Sequence, residues 1–503
     1  MNKPDIDKLL QSGEKLDLEC KRAERSIPKS LWETYSAFAN TKGGLILLGV
    51  EEKTDASNTG DHFSVQGVFD PEQLKKDFWN TVNSDKVFAS ILNEDDVQIV
   101  EYDENVKLLL IRVPQAEYRQ KPVYINGNVY KGTFKRNYKE DYHCSEDEIK
   151  AMIRDSLDDG NDGILIKYYT MDDIDAVSLK NYRNEFENRN LDHAYNQLSD
   201  KDFLRQLGGL TTDCETGTDN LTMAGLLMFG KGLSVRERFS NFRMDYLDMT
   251  NLIGDMRYSD RLTYDGTWEN NLYNFFRRVL PKLTSDLKRP FRLEGMQRND
   301  DTPARKAVRE ALTNSIIHAD FLLSSGVLRI EKHDDGFCFR NPGSLKLPVA
   351  TIYEGGLSRA RNPKMQNMFR MIGFGENIGS GFPTILDSCR QEHWEKPVLS
   401  DDTILNEVSL TLKFPVAEEN VQENEKSSVK NNDVTANDMV NVTVSGMVIK
   451  IIQENPDINV MEIAKIIQKS ERQARRIIAD LKKAGILRHI GSDKSGYWEV
   501  VEK

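Results

Sequence analysis

The segment 36–52 joins the end of a helix, a glycine turn, an apolar strand and two acidic residues. Asn40 is expected to end the helix, and Gly43–Gly44 supplies a turn in which the backbone torsion φ is free. The apolar run 45–50 is typical of a strand buried on both faces of a sheet. Glu51–Glu52 then places carboxylates at the end of a buried strand, so groups that can balance their charge must come from elsewhere in the chain.

The alternating segment Leu16–Lys21 is a candidate neighbour for this strand. It predicts a strand from which Glu19 and Lys21 project on the same face. If this strand pairs beside the apolar run, then Glu14, Glu19 and Glu52 converge. Carboxylates that lie so close repel one another unless a divalent cation or a basic group neutralises them. Acidic residues, Mg²⁺ or Mn²⁺ and a lysine are the components of a phosphodiester-cleaving site.

Length and composition limit the class of protein. A chain of 503 residues with 39% hydrophobic and 29% charged residues is expected to form roughly three or four ordinary globular domains. The sequence has neither an apolar run of membrane-spanning length nor the apolar core of a signal peptide, so we expect a cytoplasmic protein with no membrane partner. The five cysteines form no CxxC pair, which argues against a zinc site.

The N-terminal motifs resemble a known family. Glu14, the tripeptide Glu19–Lys21, and the segments 38–44 and 49–52 resemble the Schlafen-type AlbA_2 domain, a DNA- or RNA-binding α+β module of bacterial regulators. The resemblance implies such a domain at residues 1–157. In nuclease members three acids cut structured RNA. By motif position these acids fall on Glu14, Glu19 and Glu52, with Lys21 beside them and a glutamate at position 52 where aspartate is usual.

Three interpretations of these charges stay open. The acids hold Mg²⁺ or Mn²⁺ and cleave RNA, the domain binds nucleic acid without cleaving it, or the charges only flank a buried sheet. A net charge of −12 argues against non-specific nucleic-acid binding by the whole surface, so binding requires local basic patches.

One such patch lies in the segment 118–142, where basic and aromatic residues alternate. Basic side chains suit phosphate contacts and aromatic rings suit base stacking, so we take Arg119, Lys131 and Arg136 as candidate nucleic-acid contacts. A turn at Asn126–Gly127 predicts a hairpin over residues 121–130. The alternative is a hairpin whose aromatic rings pack only across its own strands.

Residues 164–299 show helical spacing with occasional strands, and they carry no motif with recognisable chemistry. We predict a helical or α+β connecting domain that joins two functional modules.

The segment 300–415 contains a second set of polar residues in an apolar helix. Glu310, Asn314 and His318 are spaced four apart, so they share one face of a predicted helix over 307–320. An asparagine carbonyl can bind Mg²⁺ while a glutamate orients a water molecule. The glycine-rich loop 373–381 opens another helix, and such loops bind phosphate through backbone N–H groups.

This arrangement resembles the divergent ATP-binding domain of the histidine-kinase, gyrase and chaperone (GHKL) superfamily, an α/β sandwich found in regulators labelled "RecG-like helicase". The resemblance implies bound ATP, with a metal ion at Asn314, and an asparagine stands where the superfamily's adenine-reading aspartate is usual. The candidate ATP-binding residues are Glu310, Asn314, His318, Asp320, Asn341, Gly343, Gly379 and Gly381. The sequence has no GxxxxGKS/T motif, so we exclude a helicase motor. The alternative is a degenerate domain that binds no nucleotide.

Residues 416–440 are rich in Glu, Asn and Ser and predict a flexible acidic linker. The tail, 441–503, predicts three helices and a β-hairpin, which resembles a winged helix-turn-helix. Its third helix carries the candidate DNA contacts Arg472, Arg475, Arg476 and Lys482. The alternative is a winged helix that contacts protein.

The order of modules predicts a nucleic-acid-binding, ATP-binding transcriptional regulator that couples nucleotide state to DNA or RNA binding and forms a homo-oligomer. The alternative is a metal-dependent ribonuclease acting on structured RNA such as tRNA, in stress or phage defence. Weak ATPase activity of the central domain is a third hypothesis.

Overall fold

The computed structural model divides the chain into two compact units, Met1–Ala417 and Glu418–Lys503. The structure describes residues 3–11, 17–53, 63–157, 160–252, 254–287, 293–294, 297–298, 302–324, 326–375, 380–415, 452, 458–466, 478, 481–482, 487–490 and 497–500. Within this described part of the chain, no helix is both long and apolar enough to cross a bilayer.

The N-terminal part of the first unit contains five α-helices and eight strands among the described residues. The helices are α1 (Lys3–Gln11), α2 (Leu31–Asn40), α3 (Pro71–Val82), α4 (Val129–Gly132) and α5 (Glu146–Ser156). The strands are β1 (Leu18–Lys21), β2 (Gly44–Leu48), β3 (Val50–Glu52), β4 (Phe63–Val65), β5 (Val97–Asp103), β6 (Val106–Val113), β7 (Phe134–Asn137) and β8 (Glu140–His143).

A four-stranded sheet in the order β1-β2-β6-β5 organises this part, and β1 pairs in parallel with β2. Helix α1 covers one face, where Ile6 packs with Leu18 and Cys20. Helices α2 and α3 cover the other face, and Trp32 stacks on Phe78 at a centroid distance of 5.4 Å. Because Leu18 and Cys20 face α1, the alternating Glu19 and Lys21 project toward the α2 side.

The predicted strand over residues 45–50 is shorter in the structure and ends at Leu48. Gly49 adopts a φ of +96°, a conformation that favours glycine, and the chain turns there into β3. Strand β3 pairs with β4 in a separate two-stranded sheet. Glu52 therefore continues along a different sheet from the one that carries Glu19.

The turn predicted at Asn126–Gly127 is confirmed, since both residues adopt positive φ, but the strand predicted after it is wrong. Residues 129–132 form the short helix α4, and the hairpin of this region is β7–β8, with Tyr138 at a φ of +56° in its turn. Asn128 caps α4 by accepting hydrogen bonds from the Tyr130 and Lys131 amides, which favours the helix over the expected strand.

The rest of the first unit contains α6 (Ala176–Arg189), α7 (Asp200–Gln206), α8 (Met223–Phe229), α9 (Gly232–Arg238), α10 (Leu272–Thr284), α11 (Pro303–Ile317), α12 (Val349–Glu354), α13 (Pro363–Met371) and α14 (Gly381–Gln391). Its strands are β9 (Leu210–Thr212), β10 (Asp219–Leu221), β11 (Met244–Asp248), β12 (Asp260–Leu262), β13 (Leu293–Glu294), β14 (Gln297–Arg298), β15 (Leu328–His333), β16 (Gly336–Pro342), β17 (Val398–Asp402) and β18 (Glu407–Lys413).

A six-stranded sheet in the order β12-β11-β15-β16-β18-β17 forms the core of this region. Strands β11 and β12 precede residue 299, and the other four follow it. One apolar cluster likewise includes Tyr182, Phe229, Leu312 and Leu412. The connecting region and the predicted ATP-binding region thus share a sheet and a core, and the domain limit at 299/300 stays a prediction.

Helix α11 lies against this core. Thr302 caps it by accepting a hydrogen bond from the Arg305 amide, and Pro303 occupies the first turn, where a missing N–H costs nothing. Its apolar positions, including Ala307, Val308 and Leu312, are fully buried. Burial of these positions fixes which face of α11 its polar residues occupy.

The described part of the second unit contains α15 (Val460–Ile466) and an antiparallel pair of β19 (Leu487–Ile490) and β20 (Tyr497–Val500). Ile463, Ile478 and Leu481 pack in one apolar cluster with Leu487. The predicted pairing of two strands in the tail is thereby present. The linker at 416–440 and most of the third predicted helix lie outside the described residues.

Candidate functional site

A cleft of about 1080 Å³, part of it open to solvent, lies between α11, β16 and α14. Five of the predicted ATP-binding residues line it: Glu310, Asn314, His318, Asn341 and Gly381. The four-residue spacing places Glu310 and Asn314 on one face of α11, and His318 follows directly at its C-terminal end. Helix α11, strand β16 and helix α14 therefore bring distant parts of the chain together at one cavity.

Gly381 begins α14 and lies directly against the side chain of Glu310. A Cβ atom at this position would stand 2.2 Å from Glu310 Oε1 and 3.5 Å from Asn314 Nδ2. A carboxylate at a helix N-terminus is favourably placed, because the helix dipole is positive there. Glu310 and Asn314 also present oxygen atoms of the kind that Mg²⁺ prefers.

Asn341 is 5% exposed on β16, and its side chain lines the cleft. Its Nδ2 has no hydrogen-bond partner among the described residues. Buried amide groups in folded proteins are almost always hydrogen-bonded, so Asn341 is a polar exception in the wall of the cleft.

His318 closes α11 and faces the same cleft. Burial, followed by the charges of Arg361 and Lys346, lowers its pKa from 6.5 to about 4. The imidazole is therefore neutral at physiological pH and can donate or accept a hydrogen bond without adding charge to the cleft.

Two predicted ATP-binding residues, Asp320 and Gly343, contact other parts of the protein. Asp320 is 1% exposed and accepts a hydrogen bond of 2.9 Å from Arg154 Nη2, so its carboxylate is held in an ion pair. Gly343 adopts a φ of +103°, and a Cβ there would stand 2.9 Å from Arg361 Nη1. Neither residue lines the cleft. Gly379 lies outside the described residues.

Arg361 is a residue of the cleft wall that the sequence did not single out. It is 2% exposed, and it forms a two-pronged ion pair with Asp155 of α5, at 2.9 Å from Nε and 2.7 Å from Nη2. Nη2 also donates to the Ser344 carbonyl at 2.8 Å. Burial raises the pKa of Asp155, but Arg361 outweighs burial and holds it below its ordinary value. A side chain of the N-terminal part therefore anchors the cleft wall.

The N-terminal charges form a different kind of cluster. Arg136 donates to Glu19 Oε2 at 2.8 Å and to Asp141 Oδ1 at 2.9 Å, and its guanidinium lies 5.2 Å from the Phe38 ring. Lys21 Nζ donates to Glu19 Oε1 at 2.8 Å. Burial lowers the pKa of Arg136, but Asp141 and Glu19 outweigh it, and the pKa is raised. Both oxygens of Glu19 are thus engaged by cations of the protein.

The expected convergence of three acids is not seen in the described residues. Among them, no group of three or more His, Cys, Asp or Glu side chains lies close enough to hold a metal ion. Glu52 is exposed beyond the Gly49 turn, and its neighbour Glu51 pairs with Arg22 at 3.3 Å. Glu14 lies outside the described residues.

The predicted nucleic-acid contacts divide by exposure. Arg119 and Lys131 are exposed, and the rings of Tyr138 and Tyr142 nearby in sequence are 73% and 45% exposed. Arg136, in contrast, is 1% exposed and engaged by Glu19. Its prediction as a phosphate contact is wrong, because no surface is left for a phosphate to reach.

The residues that make the Schlafen motif recognisable have structural partners. Asn40 Nδ2 donates to the Val123 and Phe134 carbonyls at 2.8 and 3.0 Å, and Asn40 Oδ1 accepts from the Val123 amide. Thr41 Oγ1 accepts from the Arg136 amide at 2.9 Å. These contacts hold the end of α2 against the segment that leads into β7.

In the second unit, Lys482 is exposed, and its Nζ lies 4.8 Å from the Trp498 ring. Trp498 Nε1 donates to the Ile458 carbonyl at 3.1 Å, which holds β20 against the start of α15. Arg472, Arg475 and Arg476 lie outside the described residues, so their predicted DNA contacts stay predictions.

Three family models match successive parts of the chain. "Schlafen, AlbA_2" matches residues 14–145, "Domain of unknown function (DUF8451)" matches 150–245, and "Putative ATP-dependent DNA helicase recG C-terminal" matches 327–412. The chain contains a Schlafen AlbA_2 domain and a domain of the RecG C-terminal type. The predicted mixed α+β multidomain organisation is confirmed, whereas the winged helix and the regulator family stay predictions. No curated protein matches the chain.

Two solved structures are similar to this chain. A crystal structure of a Corynebacterium diphtheriae protein is 18% identical, with a TM-score of 0.38, and the match covers 96% of this chain and 91% of that one. The solution structure of the N-terminal domain of a RecG-related protein from Nitrosomonas europaea, described as a putative ATP-dependent DNA helicase, is 27% identical, with a TM-score of 0.23. That match covers 29% of this chain and 94% of the other.

Proposed function

We propose that this protein is a nucleic-acid-binding, ATP-binding regulator in which nucleotide in the central cleft controls nucleic-acid binding by the N-terminal domain. The observation that carries the proposal is the convergence of Glu310, Asn314, His318, Asn341 and Gly381 on one cleft. The matches to Schlafen AlbA_2 and RecG C-terminal models support nucleic-acid association and nucleotide binding respectively.

The cleft fits a nucleotide in its chemistry. The amide of Asn341 on the cleft wall suits the edge of a base, and Gly381 at the start of α14 lets the Glu310 side chain approach the backbone closely. Glu310 and Asn314 would hold the Mg²⁺ that accompanies ATP, which would neutralise phosphate charge. Neutral His318 adds a hydrogen-bonding group, and the buried wall limits access of water.

Contacts of the cleft wall connect the proposed nucleotide site to the N-terminal part that would bind nucleic acid. Arg361 and Ser344 belong to the cleft, and Asp155 belongs to α5 of the N-terminal part. Lys346 Nζ also lies 4.7 Å from the ring of Tyr118, which precedes the exposed Arg119. A ligand that moves this wall must therefore act on residues next to the exposed basic segment.

Helix α5 extends that route to the hairpin β7–β8. Glu148, in its first turn, pairs with Lys135 of β7 and accepts a hydrogen bond of 3.3 Å from Asn406. The ends of α5 thus contact both the cleft wall and the hairpin that carries the exposed Tyr138.

The test is the affinity of the full chain for labelled duplex DNA and structured RNA, measured by anisotropy with and without ATP and Mg²⁺. We expect salt-dependent binding and a nucleotide-dependent change of roughly fivefold or more, which is typical of coupled sites. Asp155→Asn should keep nucleotide binding and lose most of that change, whereas Glu146→Gln, on the exposed face of the same helix, should keep it. Absence of salt-dependent binding, or of any nucleotide effect in the unsubstituted chain, contradicts the proposal.

The alternative is a metal-dependent ribonuclease that uses Glu14, Glu19 and Glu52, with Lys21. The pairing of Glu19 with Arg136 and Lys21 favours binding over cleavage, because these cations occupy both carboxylate oxygens. Incubation with tRNA and Mn²⁺ separates the two. We expect intact RNA, and cleavage that disappears in Glu19→Ala would establish the ribonuclease instead.

Two further parts of the proposal concern the second unit and assembly. The winged helix would supply a second DNA contact through Arg472, Arg475, Arg476 and Lys482, and the chain would act as a homo-oligomer. Deletion of residues 441–503 should weaken duplex binding, and light scattering should give a mass above that of one chain.

A further inference from the structure

The surface of the N-terminal domain carries a pair of stacked aromatic rings, Phe88 and Tyr124. The ring centroids are 4.4 Å apart, and the ring planes differ by 15°. Phe88 is nevertheless 58% exposed. Because Tyr124 covers one face of the Phe88 ring, this exposure leaves the opposite face open to water. Among the exposed aromatic rings of the described residues, Phe88 is the one that has a parallel ring partner.

The backbone explains why both rings point away from the core. Val87 forms an antiparallel bridge with Ile125, and the Phe88 amide donates to the Tyr124 carbonyl at 2.9 Å. Val87 and Ile125 are 4% and 3% exposed and pack in the apolar cluster of this domain. Side chains alternate along extended segments, so the residues next to this buried pair, Phe88 and Tyr124, face outward.

Hydrogen bonds on both sides fix the two segments that carry the rings. The hydroxyl group of the buried Tyr35 donates to the Ala89 carbonyl at 3.1 Å and accepts from the Ile91 amide at 3.2 Å. The Ile125 amide donates to the Gly132 carbonyl at 3.0 Å. A ring that is already held in place loses little conformational freedom when a ligand stacks on it, so the pair is preorganised for a planar ligand.

The local charge favours an anionic ligand. The two segments that carry the rings, 86–92 and 121–138, contain no aspartate or glutamate, although the whole chain has 80 of them. Lys86 and the exposed Lys131 lie within these segments. An open aromatic face beside lysines suits a nucleic-acid strand, because a base can stack on the ring while the lysines attract the phosphates.

We propose that the Phe88–Tyr124 stack is a platform for an unpaired base, so that the N-terminal domain takes single-stranded segments of DNA or RNA. This inference rests on the proposed nucleic-acid binding of that domain. In a duplex both faces of a base are covered by its neighbours, whereas an unpaired base can turn one face to the Phe88 ring. Every base has such a face, so the platform selects the unpaired state and not a sequence.

The test is the affinity of the full chain for labelled oligothymidine, and for the same strand paired with oligoadenosine, measured by anisotropy at several salt concentrations. Phe88→Leu keeps an apolar side chain against Tyr124 but removes the ring. It should weaken single-strand binding by roughly 5- to 100-fold, the range for loss of one base–aromatic stack. It should leave duplex binding unchanged, and it should leave the salt dependence unchanged because no charge is removed.

Phe69→Leu is the matched control, since Phe69 is a more exposed phenylalanine of the same domain, at 80%, and lies outside the stack. It should change neither affinity, and Phe88→Tyr, which keeps a ring, should retain single-strand binding. Single-strand binding that is absent from the unsubstituted chain while duplex binds, or unchanged in Phe88→Leu, or weakened there equally with duplex binding, overturns this inference alone. Failure of the unsubstituted chain to bind either probe overturns the proposed nucleic-acid binding itself.

Discussion

The N-terminal cluster of Glu19, Lys21 and Arg136 and the central cleft around Asn314 and Asn341 both place polar side chains inside apolar elements. They differ in where the polar atoms find their partners. In the cluster, Glu19 accepts from Arg136 at 2.8 Å and from Lys21 at 2.8 Å. In the cleft, Asn341 Nδ2 is buried without a partner among the described residues, beside an open volume of about 1080 Å³.

This difference distinguishes charges that stabilise the folded protein from polar groups that are available to bind a ligand. The ion pairs of Arg136 balance its charge within the fold, although Arg136 Nε is itself buried without a partner among the described residues, and removing one member of a pair leaves the other charge uncompensated. The cleft, in contrast, leaves an open volume between the polar side chains of Glu310, Asn314 and His318, which a ligand can fill. The cluster should therefore control stability, and the cleft should control nucleotide binding.

Arg136→Met gives the largest expected effect. The substitution leaves Glu19 and Asp141 without their shared buried cation, so the free energy of unfolding should fall by about 3 kcal/mol. Chemical denaturation of the full chain, followed through the N-terminal transition, measures the loss.

Arg22→Met is the matched control for Arg136→Met, because Arg22 is exposed although it also pairs with acidic residues. Its unfolding midpoint should be unchanged. If Arg136→Met kept its stability and instead lost nucleic-acid affinity, Arg136 would be a ligand contact and the comparison would fail.

The dependence of stability on pH reports on the burial of His318 in the cleft. The pKa of His318 is about 4 in the folded protein, below the ordinary value of 6.5. Between these values the unfolded chain binds more protons, so stability present above pH 6.5 is lost as pH falls toward 4. From pH 7 to pH 5 the free energy of unfolding should fall by about 1–2 kcal/mol more in the unsubstituted protein than in His318→Gln.

The comparison with His318→Gln is needed because Asp162 acts in the opposite direction. Burial raises the pKa of the Asp162 carboxyl from 3.8 to about 6, so the folded protein binds more protons than the unfolded chain between these values, and Asp162 favours folding as pH falls. Denaturation at pH 7 and pH 5 gives the difference. Identical pH dependence in both proteins would show that His318 is not held neutral by its surroundings.

The smallest expected effect comes from the exposed basic segment. Lys131→Ala should weaken nucleic-acid binding about threefold, whatever the nucleic-acid sequence, because it removes one phosphate contact. For the same reason, the slope of the logarithm of the binding constant against the logarithm of salt concentration should fall by about one. Lys167→Ala, an exposed lysine of the connecting region, should change neither quantity. Equal effects of the two substitutions would show that binding follows net charge and not this segment.

Local periodicity predicted the parts of the site that lie on one element. Glu310, Asn314 and His318 share a face because helical spacing alone places them there, and the predicted neighbours β1 and β2 do pair. Positions that depend on distant partners were not predictable. Arg136 contacts Glu19, which is 117 residues away in the sequence, and Arg361 contacts Asp155, which is 206 residues away. Without these partners, the sequence predicted a phosphate contact for Arg136 and no role for Arg361.

The strand predicted over residues 45–50 was too long for a physical reason. The apolar run 45–50 has the composition of a single strand, but the left-handed conformation of Gly49 ends β2 and redirects the chain. The expected meeting of Glu19 and Glu52 depended on a continuous strand. Composition does not show which glycine adopts positive φ, so this divergence could not be seen from the sequence.

The most direct test is calorimetric titration of the full chain with ATP and Mg²⁺, because it shows whether the nucleotide binds in the cleft and not at the N-terminal cluster. We predict saturable binding that falls at least tenfold in Asn314→Ala and is unchanged in Glu19→Gln. Absence of heat on titration, or binding that is lost in Glu19→Gln and kept in Asn314→Ala, would contradict the account.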